Sequence, residues 1–205
     1  MQSIYYPQPI GHFMFHPYVK LMQKYWLVIL LFSVSIPTFS QVVVPPSEGK
    51  AVVYFVQPSF VGSLDSYRIF DRDNLIGFIW GKNYLRYECE PGERLLWASC
   101  ENRFFLEASL EANKIYLVEV DTSPGILAVR LHLRLVTDGD EQIGKIMELL
   151  AKKEEKIHSP EEIAKWQDRW ERFINRGLAR YEKLKGEGSP TINRLEKEDF
   201  IQLEG

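Results

Sequence analysis

The sequence has no strong excess of charge of either sign. Charged residues make up 26% of its 205 residues, and the formal net charge is -3. A protein that binds nucleic acid normally carries a basic patch or stripe, so this balance argues against nucleic acid as a partner. The apolar share of 45% is that of a globular protein with a core, which argues against general disorder.

Cysteine is scarce, and its two positions are not expected to pair. The Pro91-Gly92 pair has the turn chemistry of a tight hairpin, in which Cys89 faces Arg94. Cys100 then lies about six residues further along the second strand, roughly 20 Å away, which is too far for a disulfide bond. The sequence therefore predicts two buried free thiols.

Histidine is scarce too. After residue 40 the chain has His132 and His158 alone, whereas a metal site usually draws three or four ligands with a recognisable spacing. The sequence also lacks a motif that would join a nucleophile to a base and an orienting group. We therefore expect no metal, no cofactor and no catalytic residues, and a hydrolase with an unrecognised site stays as an alternative.

Acidic residues are absent from the first 40 positions, where Lys20 and Lys24 are the charged residues. From Met22 onwards the order is a basic start, an almost wholly apolar stretch over 25–36, and small residues before position 41. This is the layout of a secretory signal. The apolar stretch is shorter than the ~20 residues that a membrane-spanning helix usually needs.

These features predict that residues 22–40 are a signal peptide that is cleaved after Ser40. The mature protein is then exported to the bacterial periplasm or cell envelope, or secreted. An uncleaved segment is the alternative, and it would be the protein's contact with the membrane. Residues 1–21 are aromatic and Pro-rich, a composition unrelated to export, and we predict that they are an untranslated or disordered extension.

The middle of the chain is rich in short β-type segments. A linker over 41–49 precedes a predicted β-domain over 50–136, whose first segment, 51–56, is a continuous apolar run typical of a strand buried on both faces. Further strands are predicted at 66–70, 75–80, 84–90, 94–100, 104–110, 115–120 and 126–136.

Turn residues separate nearly all of these segments, as at 71–74, 91–92 and 124–125. Short strands at this spacing are typical of an antiparallel sandwich or barrel. We predict a mainly β fold: an antiparallel β-sandwich of about eight short strands, followed by two C-terminal α-helices.

The C-terminal third changes to helical periodicity. Apolar residues recur at helical spacing in a predicted helix over 138–156. Ser159, Pro160 and Glu162 then form the start signal of an amphipathic helix over 159–186, with a cap, a proline at the first position and a capping box. Residues 187–205 are predicted to be a flexible tail.

Motifs within residues 50–120 carry a family resemblance. They are Lys50-Ala51-Val52-Val53-Tyr54-Phe55 with Gln57-Pro58-Ser59, Ile76-Gly77, Tyr84, Glu90-Pro91-Gly92-Glu93, and Leu110-Glu111-Ala112-Asn113-Lys114-Ile115-Tyr116. With them, roughly a third of the chain resembles the bacterial family known as domain of unknown function 2846. The resemblance implies an envelope β-sandwich without an established activity, and it transfers no catalytic residues.

Two features depart from that family pattern. Asn113 stands where such domains often place glycine, which is tolerable because asparagine also enters the left-handed region. Gln41 follows the predicted cleavage point, and no nearby cysteine is present to be acylated. We therefore do not expect a lipid anchor.

The amphipathic helix carries the first candidate binding residues. Its apolar stripe includes Trp166, Trp170, Phe173 and Tyr181. Such a stripe serves equally for packing onto the sheet and for an interface with another protein or a second copy of the chain. The leading hypothesis is therefore a non-enzymatic structural or binding module that acts through protein-protein contacts, with an envelope protein or a homo-oligomer as partner.

The predicted last strand and the strand aromatics carry an alternative hypothesis. Arg130, His132 and Arg134 alternate with apolar residues, so they share a solvent-facing side that could meet an anionic surface. Charges on such a face also preserve solubility. Trp80, Tyr84, Tyr87 and Trp97 could form a platform for sugar stacking, although aromatic residues in strands mostly fill cores.

Overall fold

The computed structural model describes residues 43–59, 66–124 and 129–202. The predicted extension and signal peptide lie outside these residues, as does the start of the predicted last strand. Within the described ranges the chain forms nine strands and three helices. The strands are β1 Ala51–Gln57, β2 Tyr67–Asp71, β3 Asn74–Ile79, β4 Asn83–Cys89, β5 Gly92–Ser99, β6 Arg103–Leu110, β7 Ile115–Pro124, β8 Val129–Val136 and β9 Ile192–Leu195. The helices are α1 Ile143–Lys152, α2 Pro160–Arg169 and α3 Glu171–Gly186.

The strands form two sheets that pack as a sandwich. The first sheet has the order β4-β1-β7-β8, and the second has the order β3-β2-β5-β6-β9. Most neighbouring strands are antiparallel, but β1 with β7 and β6 with β9 are parallel pairs. The predicted mainly β sandwich is confirmed, although its sheets are mixed rather than purely antiparallel.

Strand β1 is buried on both faces, as its continuous apolar run predicts. Val53 and Phe55 point into the core between the sheets, where residues of both sheets meet. Val52, Tyr54 and Val56 point outwards and lie under other apolar side chains. The outer face of this sheet must therefore be covered, because a sheet with two apolar faces needs a partner layer on each.

Helices provide these outer layers. Helix α1 buries Ile146, Leu149 and Leu150 against the outer face of the first sheet. Helices α2 and α3 bury their apolar stripe against the outer face of the second sheet. Within the described residues the domain therefore has four layers: helix, sheet, sheet and helices. No helix in these ranges is long and apolar enough to cross a membrane.

The Pro91-Gly92 turn differs from the predicted hairpin. Strand β4 pairs with β1 in the first sheet, whereas β5 pairs with β2 and β6 in the second. The chain therefore crosses between sheets at this turn, with Gly92 at a φ of 113°. A Pro-Gly pair permits either connection, and pairing with distant strands decides which one forms. Cys89 and Cys100 are nevertheless free, as predicted; Cys89 is buried and Cys100 is half-buried.

The C-terminal segments are also more divided than predicted. The helix expected over 138–156 is shorter in the structure, where only α1 forms. The helix expected over 159–186 is broken at Trp170, whose φ of -105° and ψ of 11° separate α2 from α3. The Ser159 hydroxyl accepts a hydrogen bond from the Glu162 N–H at 3.1 Å, as the cap signal predicts. The Glu162 carboxylate instead lies 3.2 Å from Nδ1 of His158.

The segment predicted as a flexible tail is part of the fold up to residue 202. Strand β9 pairs in parallel with β6. Further on, the Ile201 N–H donates to the Ile115 carbonyl oxygen at 2.9 Å. Leu195 and Ile201 are both buried, so apolar contacts hold this segment in the fold. The mostly polar composition of the segment did not predict these contacts.

Candidate functional site

The aromatic stripe of the C-terminal helices packs around Trp97 of β5. Trp97 is fully buried, stacks on Phe70 with ring centroids 4.0 Å apart, and donates from Nε1 to the Arg72 carbonyl oxygen at 2.7 Å. The ring centroid of Phe173 lies 6.2 Å from that of Trp97. The stripe therefore serves intramolecular packing, because the sheet beneath it presents an equally aromatic face.

The predicted partner-binding residues all lie between the helices and the second sheet. Trp166 and Trp170 are half-buried and meet Phe78 edge-on, with centroid distances of 5.9 and 5.2 Å. Phe173 is half-buried as well. Tyr181 is buried, and its hydroxyl donates to Oε1 of Glu107 at 2.6 Å. None of these four side chains is left fully exposed for a partner.

The predicted basic face of β8 is partly neutralised. Arg134 donates from Nε to Glu119 at 2.7 Å and from Nη1 to Asp140 at 2.6 Å. His132 meets the ring of Phe104 edge-on, with centroids 5.6 Å apart. Arg130 is the exposed member of the three. The Arg134 charge is thus compensated by two carboxylates and adds little to an anion-attracting surface.

The same strand shows a second departure from its predicted pattern. Because strand residues alternate, Val136 is expected on the same side as Arg130, His132 and Arg134, facing solvent, yet it is fully buried beneath α1. Asp140, in the turn before this helix, accepts a hydrogen bond from the Gln142 N–H at 2.8 Å. That bond and the one from Arg134 lower the pKa of Asp140.

The four strand aromatics do not form one platform. Trp97 is in the core of the second sheet, and the Tyr87 hydroxyl donates to Asp71 at 2.7 Å. Tyr84 is half-buried beside Tyr54, with ring centroids 5.9 Å apart. Trp80 is exposed, at 51% of its accessible surface.

The histidines of the predicted mature region stand apart. His132 is in β8 of the first sheet, whereas His158 precedes α2 beside the second sheet. Nε2 of His158 lies 3.1 Å from both the backbone nitrogen and the carbonyl oxygen of Phe78, and Nδ1 lies 3.2 Å from the Glu162 carboxylate. Among the described residues no group of three His, Cys, Asp or Glu side chains could hold a metal ion.

Exposed apolar side chains gather along strand β4, which forms an edge of the first sheet. The large apolar residues that are exposed within the described ranges are Val44 at 55%, Trp80 at 51% and Ile157 at 77%. We call these three residues, with Lys156, the β4 surface. The ammonium group of Lys156 lies 3.6 Å from the centroid of the Trp80 ring.

Backbone and ring contacts connect the members of the β4 surface. The Lys156 N–H donates to the Tyr84 carbonyl oxygen at 3.0 Å, which holds Lys156 against β4. The Tyr84 ring lies beside Tyr54, whose hydroxyl accepts from the Val44 N–H at 2.9 Å. Sequence reasoning singled out Trp80 but missed the rest of this surface, because Val44 was assigned to a linker and Ile157 fell between the two predicted helices.

Two clefts on the described residues lie elsewhere. One is lined by Lys114, Phe200 and their neighbours, and the other by Glu107, Lys185 and theirs. Neither includes His132, and the Glu119 carboxylate near that strand is occupied by Arg134.

No protein-family model matches the chain, and the curated proteins include no match either. The resemblance to domain of unknown function 2846 therefore stays a prediction from the motifs.

Proposed function

We propose that the chain is an exported protein of the bacterial cell envelope and acts as a non-enzymatic binding module through protein-protein contacts. The four-layer domain is its rigid scaffold. The β4 surface is its contact site, in place of the C-terminal helix stripe that the sequence favoured.

The observation that carries this proposal is the exposure of Trp80 and Ile157, together with the contact between the Trp80 ring and Lys156, which precedes Ile157 in the chain. Hydrating such large apolar side chains is unfavourable, and contiguous exposed apolar groups mark interaction sites. Tryptophan is also among the residues that contribute most to binding energy at protein interfaces. The cation-π contact with Lys156 orients the Trp80 ring before binding, which lowers the entropy lost on association.

Carbohydrate binding is the second candidate, and the exposed ring of Trp80 favours it. An exposed indole face stacks on the apolar face of a sugar ring. Lys156 already covers one face of this ring, which leaves the other face for a ligand. A sugar site of this kind would rest on one aromatic residue, whereas the protein-contact proposal also uses Val44 and Ile157.

Site-specific photo-crosslinking in the native host tests the protein-contact proposal. A photoreactive phenylalanine analogue is placed at Trp80 or Ile157 of the full-length chain, with Glu182, exposed on α3, as the matched control position. We expect one discrete crosslinked product from positions 80 and 157 and none from position 182. A product of twice the chain mass identifies a second copy, and any other mass identifies a different partner. Equal products at all three positions, or none at 80 and 157, contradict the proposal.

Fractionation tests the export proposal separately. Release of the protein with the periplasmic or membrane fraction supports export, whereas retention with cytoplasmic markers contradicts it. A cytoplasmic protein that still crosslinks at position 80 would contradict export and leave the contact surface supported.

A further inference from the structure

Strand β4 forms one edge of the first sheet, and its backbone groups alternate in direction. The Val52 N–H donates to the Lys114 carbonyl oxygen at 3.0 Å, so the even-numbered residues of β1 bond to the chain at β7. The odd-numbered residues of β1 therefore bond to β4, where their partners are also odd-numbered. The N–H and C=O groups of Tyr84, Arg86 and Glu88 consequently point away from β1, towards the open edge of the sheet.

The chain itself occupies the first half of this edge. The Tyr84 carbonyl oxygen accepts from the Lys156 N–H at 3.0 Å, and the Tyr84 N–H donates to Oδ1 of Asn83 at 2.9 Å. Within the described residues, no hydrogen bond reaches the backbone N–H or C=O of Arg86 or Glu88. In that part of the chain, the second half of the β4 edge is therefore open.

Side chains occupy backbone groups of other edge strands. On β3, Gln167 accepts from the Leu75 N–H at 2.7 Å, and His158 lies 3.1 Å from two backbone atoms further along the strand. On β8, Asn102 bonds both the N–H and the C=O of Leu131, at 2.8 and 3.1 Å. Strand β9 is only four residues long. An open edge is a template for pairing with another chain, so the uncovered half of β4 is a candidate contact.

Two opposite charges stand at the open half of β4. Arg86 and Glu88 are two positions apart, so both side chains lie on the outer face of the first sheet. Nη2 of Arg86 lies 2.6 Å from Oε2 of Glu88. The Pro45 carbonyl oxygen accepts from Arg86 at 3.2 Å, and the Ser47 N–H donates to Glu88 at 3.2 Å. Both charges are therefore held in place before a partner binds.

We infer that the open half of β4 pairs antiparallel with β4 of a second copy of the chain. A two-fold axis beside Tyr87 places Arg86 of each copy directly opposite Glu88 of the other copy. The backbone groups of these residues point outwards, so the two residue pairs form about four N–H···O bonds across the interface. Opposite charges that face each other across a strand pair stabilise it, so β4 is complementary to itself in this register.

The surroundings of the open half fit this pairing. In this register Glu90 of one copy is aligned with Tyr84 of the other, the position that Lys156 already occupies. Strand β4 ends at Cys89, so the second copy's strand ends before it reaches Lys156. Lys156 and the Trp80 ring beside it then lie at the rim of the interface. The inference rests on the proposed function, because it takes the β4 surface as part of the contact and names a second copy as the partner.

Charge-reversal variants of the purified full-length chain test the register, with sedimentation equilibrium as the measurement. We expect the parent chain to be a dimer. Arg86→Glu leaves two carboxylates on the edge, and Glu88→Arg leaves two guanidinium groups. Like charges then face each other, so each variant alone should dimerise at least about tenfold more weakly. An equimolar mixture of the two variants should regain a dimer, because opposite charges face each other again.

Lys183→Glu is the matched control. It reverses a charge in an exposed pair on α3, and it should leave the dimer unchanged. Failure of the two folded β4 variants to dimerise when mixed, or an equal loss of the dimer in Lys183→Glu, overturns the inference.

Hydrogen exchange of the parent chain gives a second readout that needs no variant to fold. The amides of Arg86 and Glu88 should exchange at least about tenfold more slowly in the dimer than after dilution to monomer. A monomeric parent chain, or fast exchange of both amides in the dimer, overturns the inference. A monomer whose position 80 crosslinks a different protein in the host overturns this inference alone. Absence of crosslinks from positions 80 and 157 contradicts the proposed function as well.

Discussion

Gly177 of α3 lies directly against the indole ring of Trp97. A Cβ atom at position 177 would come within 2.7 Å of Cη2 and 3.1 Å of Cζ3 of that ring. Real Cβ contacts are longer, so the helix reaches this distance from the sheet because residue 177 has no side chain. This contact sets the depth at which the aromatic stripe of α3 packs.

Gly177→Ala is expected to destabilise the protein by about 1–3 kcal/mol. Alanine favours a helix by ~1 kcal/mol over glycine, but the added methyl must displace a buried ring from well-packed surroundings. Denaturant unfolding measures the difference. Gly186→Ala is the matched control, because a Cβ there meets nothing within 4 Å. A stabilised Gly177→Ala variant would contradict the packing argument.

Asp71→Asn is expected to cost about 3 kcal/mol, because Asp71 links the two sheets. It is buried, accepts from Tyr87 of the first sheet at 2.7 Å, and pairs with Arg94 of the second at 2.9 Å. The substitution leaves the half-buried Arg94 without its counter-charge. Tyr87→Phe removes one hydrogen bond only and should cost about 1 kcal/mol. Chemical denaturation measures the loss of stability in each variant. Equal losses in Asp71→Asn and Tyr87→Phe would contradict the expectation.

Gln167→Ala is expected to expose the edge of the second sheet. The side chain of Gln167 accepts from the Leu75 N–H at 2.7 Å and donates to the Asp73 carbonyl oxygen at 2.7 Å. It thus occupies a backbone N–H of edge strand β3 and a carbonyl oxygen of the turn before it, which would otherwise be open to another chain. We expect a loss of about 1–2 kcal/mol and concentration-dependent association, measured by light scattering. Lys165 is exposed on the same helix, and Lys165→Ala should cause neither the loss of stability nor the association.

The two free thiols are expected to react at different rates. Burial raises the pKa of the Cys89 thiol to about 11, whereas Cys100 is half-buried at the end of β5. Since the thiolate is the reactive form, iodoacetamide at neutral pH should modify Cys100 at least tenfold faster. In a Cys100→Ser variant, the native protein should take up no label and the urea-unfolded protein should take up one. Rapid labelling of native Cys100→Ser would show that Cys89 is accessible.

Glu88 is expected to make stability depend on acid pH. Hydrogen bonds from Ser47 and Arg86 lower the pKa of Glu88 from 4.5 to about 2. A lowered pKa in the folded state stabilises the protein above the unfolded value of 4.5, and this contribution is lost as pH falls towards 2. At neutral pH we expect Glu88→Gln to be about 1 kcal/mol less stable than the parent chain, because partial exposure screens the interaction.

The difference between the parent chain and Glu88→Gln should disappear between pH 4.5 and pH 2. Unfolding curves across this range measure it. Glu90→Gln is the control, because it removes an equal charge from an exposed pair with Lys50 and leaves the hydrogen bonds of Glu88 with Ser47 and Arg86 in place. A difference that stays constant over the range would argue against the role of Glu88.

Local features were predictable where the conformation depends on a few neighbouring residues. The turn at 71–74 joins β2 to β3, and Asn113 adopts the left-handed region at a φ of 63°. Ser159 caps α2 as its spacing from Pro160 and Glu162 predicts. The candidate site was less predictable, because Trp166 and Trp170 have the same sequence pattern whether they pack on a sheet or on another molecule.

The sequence by itself determined the mainly β class, most strand positions and the start of the C-terminal helix, because alternation, turn chemistry and capping act within short segments. Tertiary structure alone decided that β4 and β5 join different sheets and that the helix stripe packs inwards. It also decided that Arg68 and Arg103, from different strands, both lie at the ring of Phe173. These outcomes depend on contacts between residues distant in the chain, where the energy of packing two surfaces together outweighs the preferences of either segment.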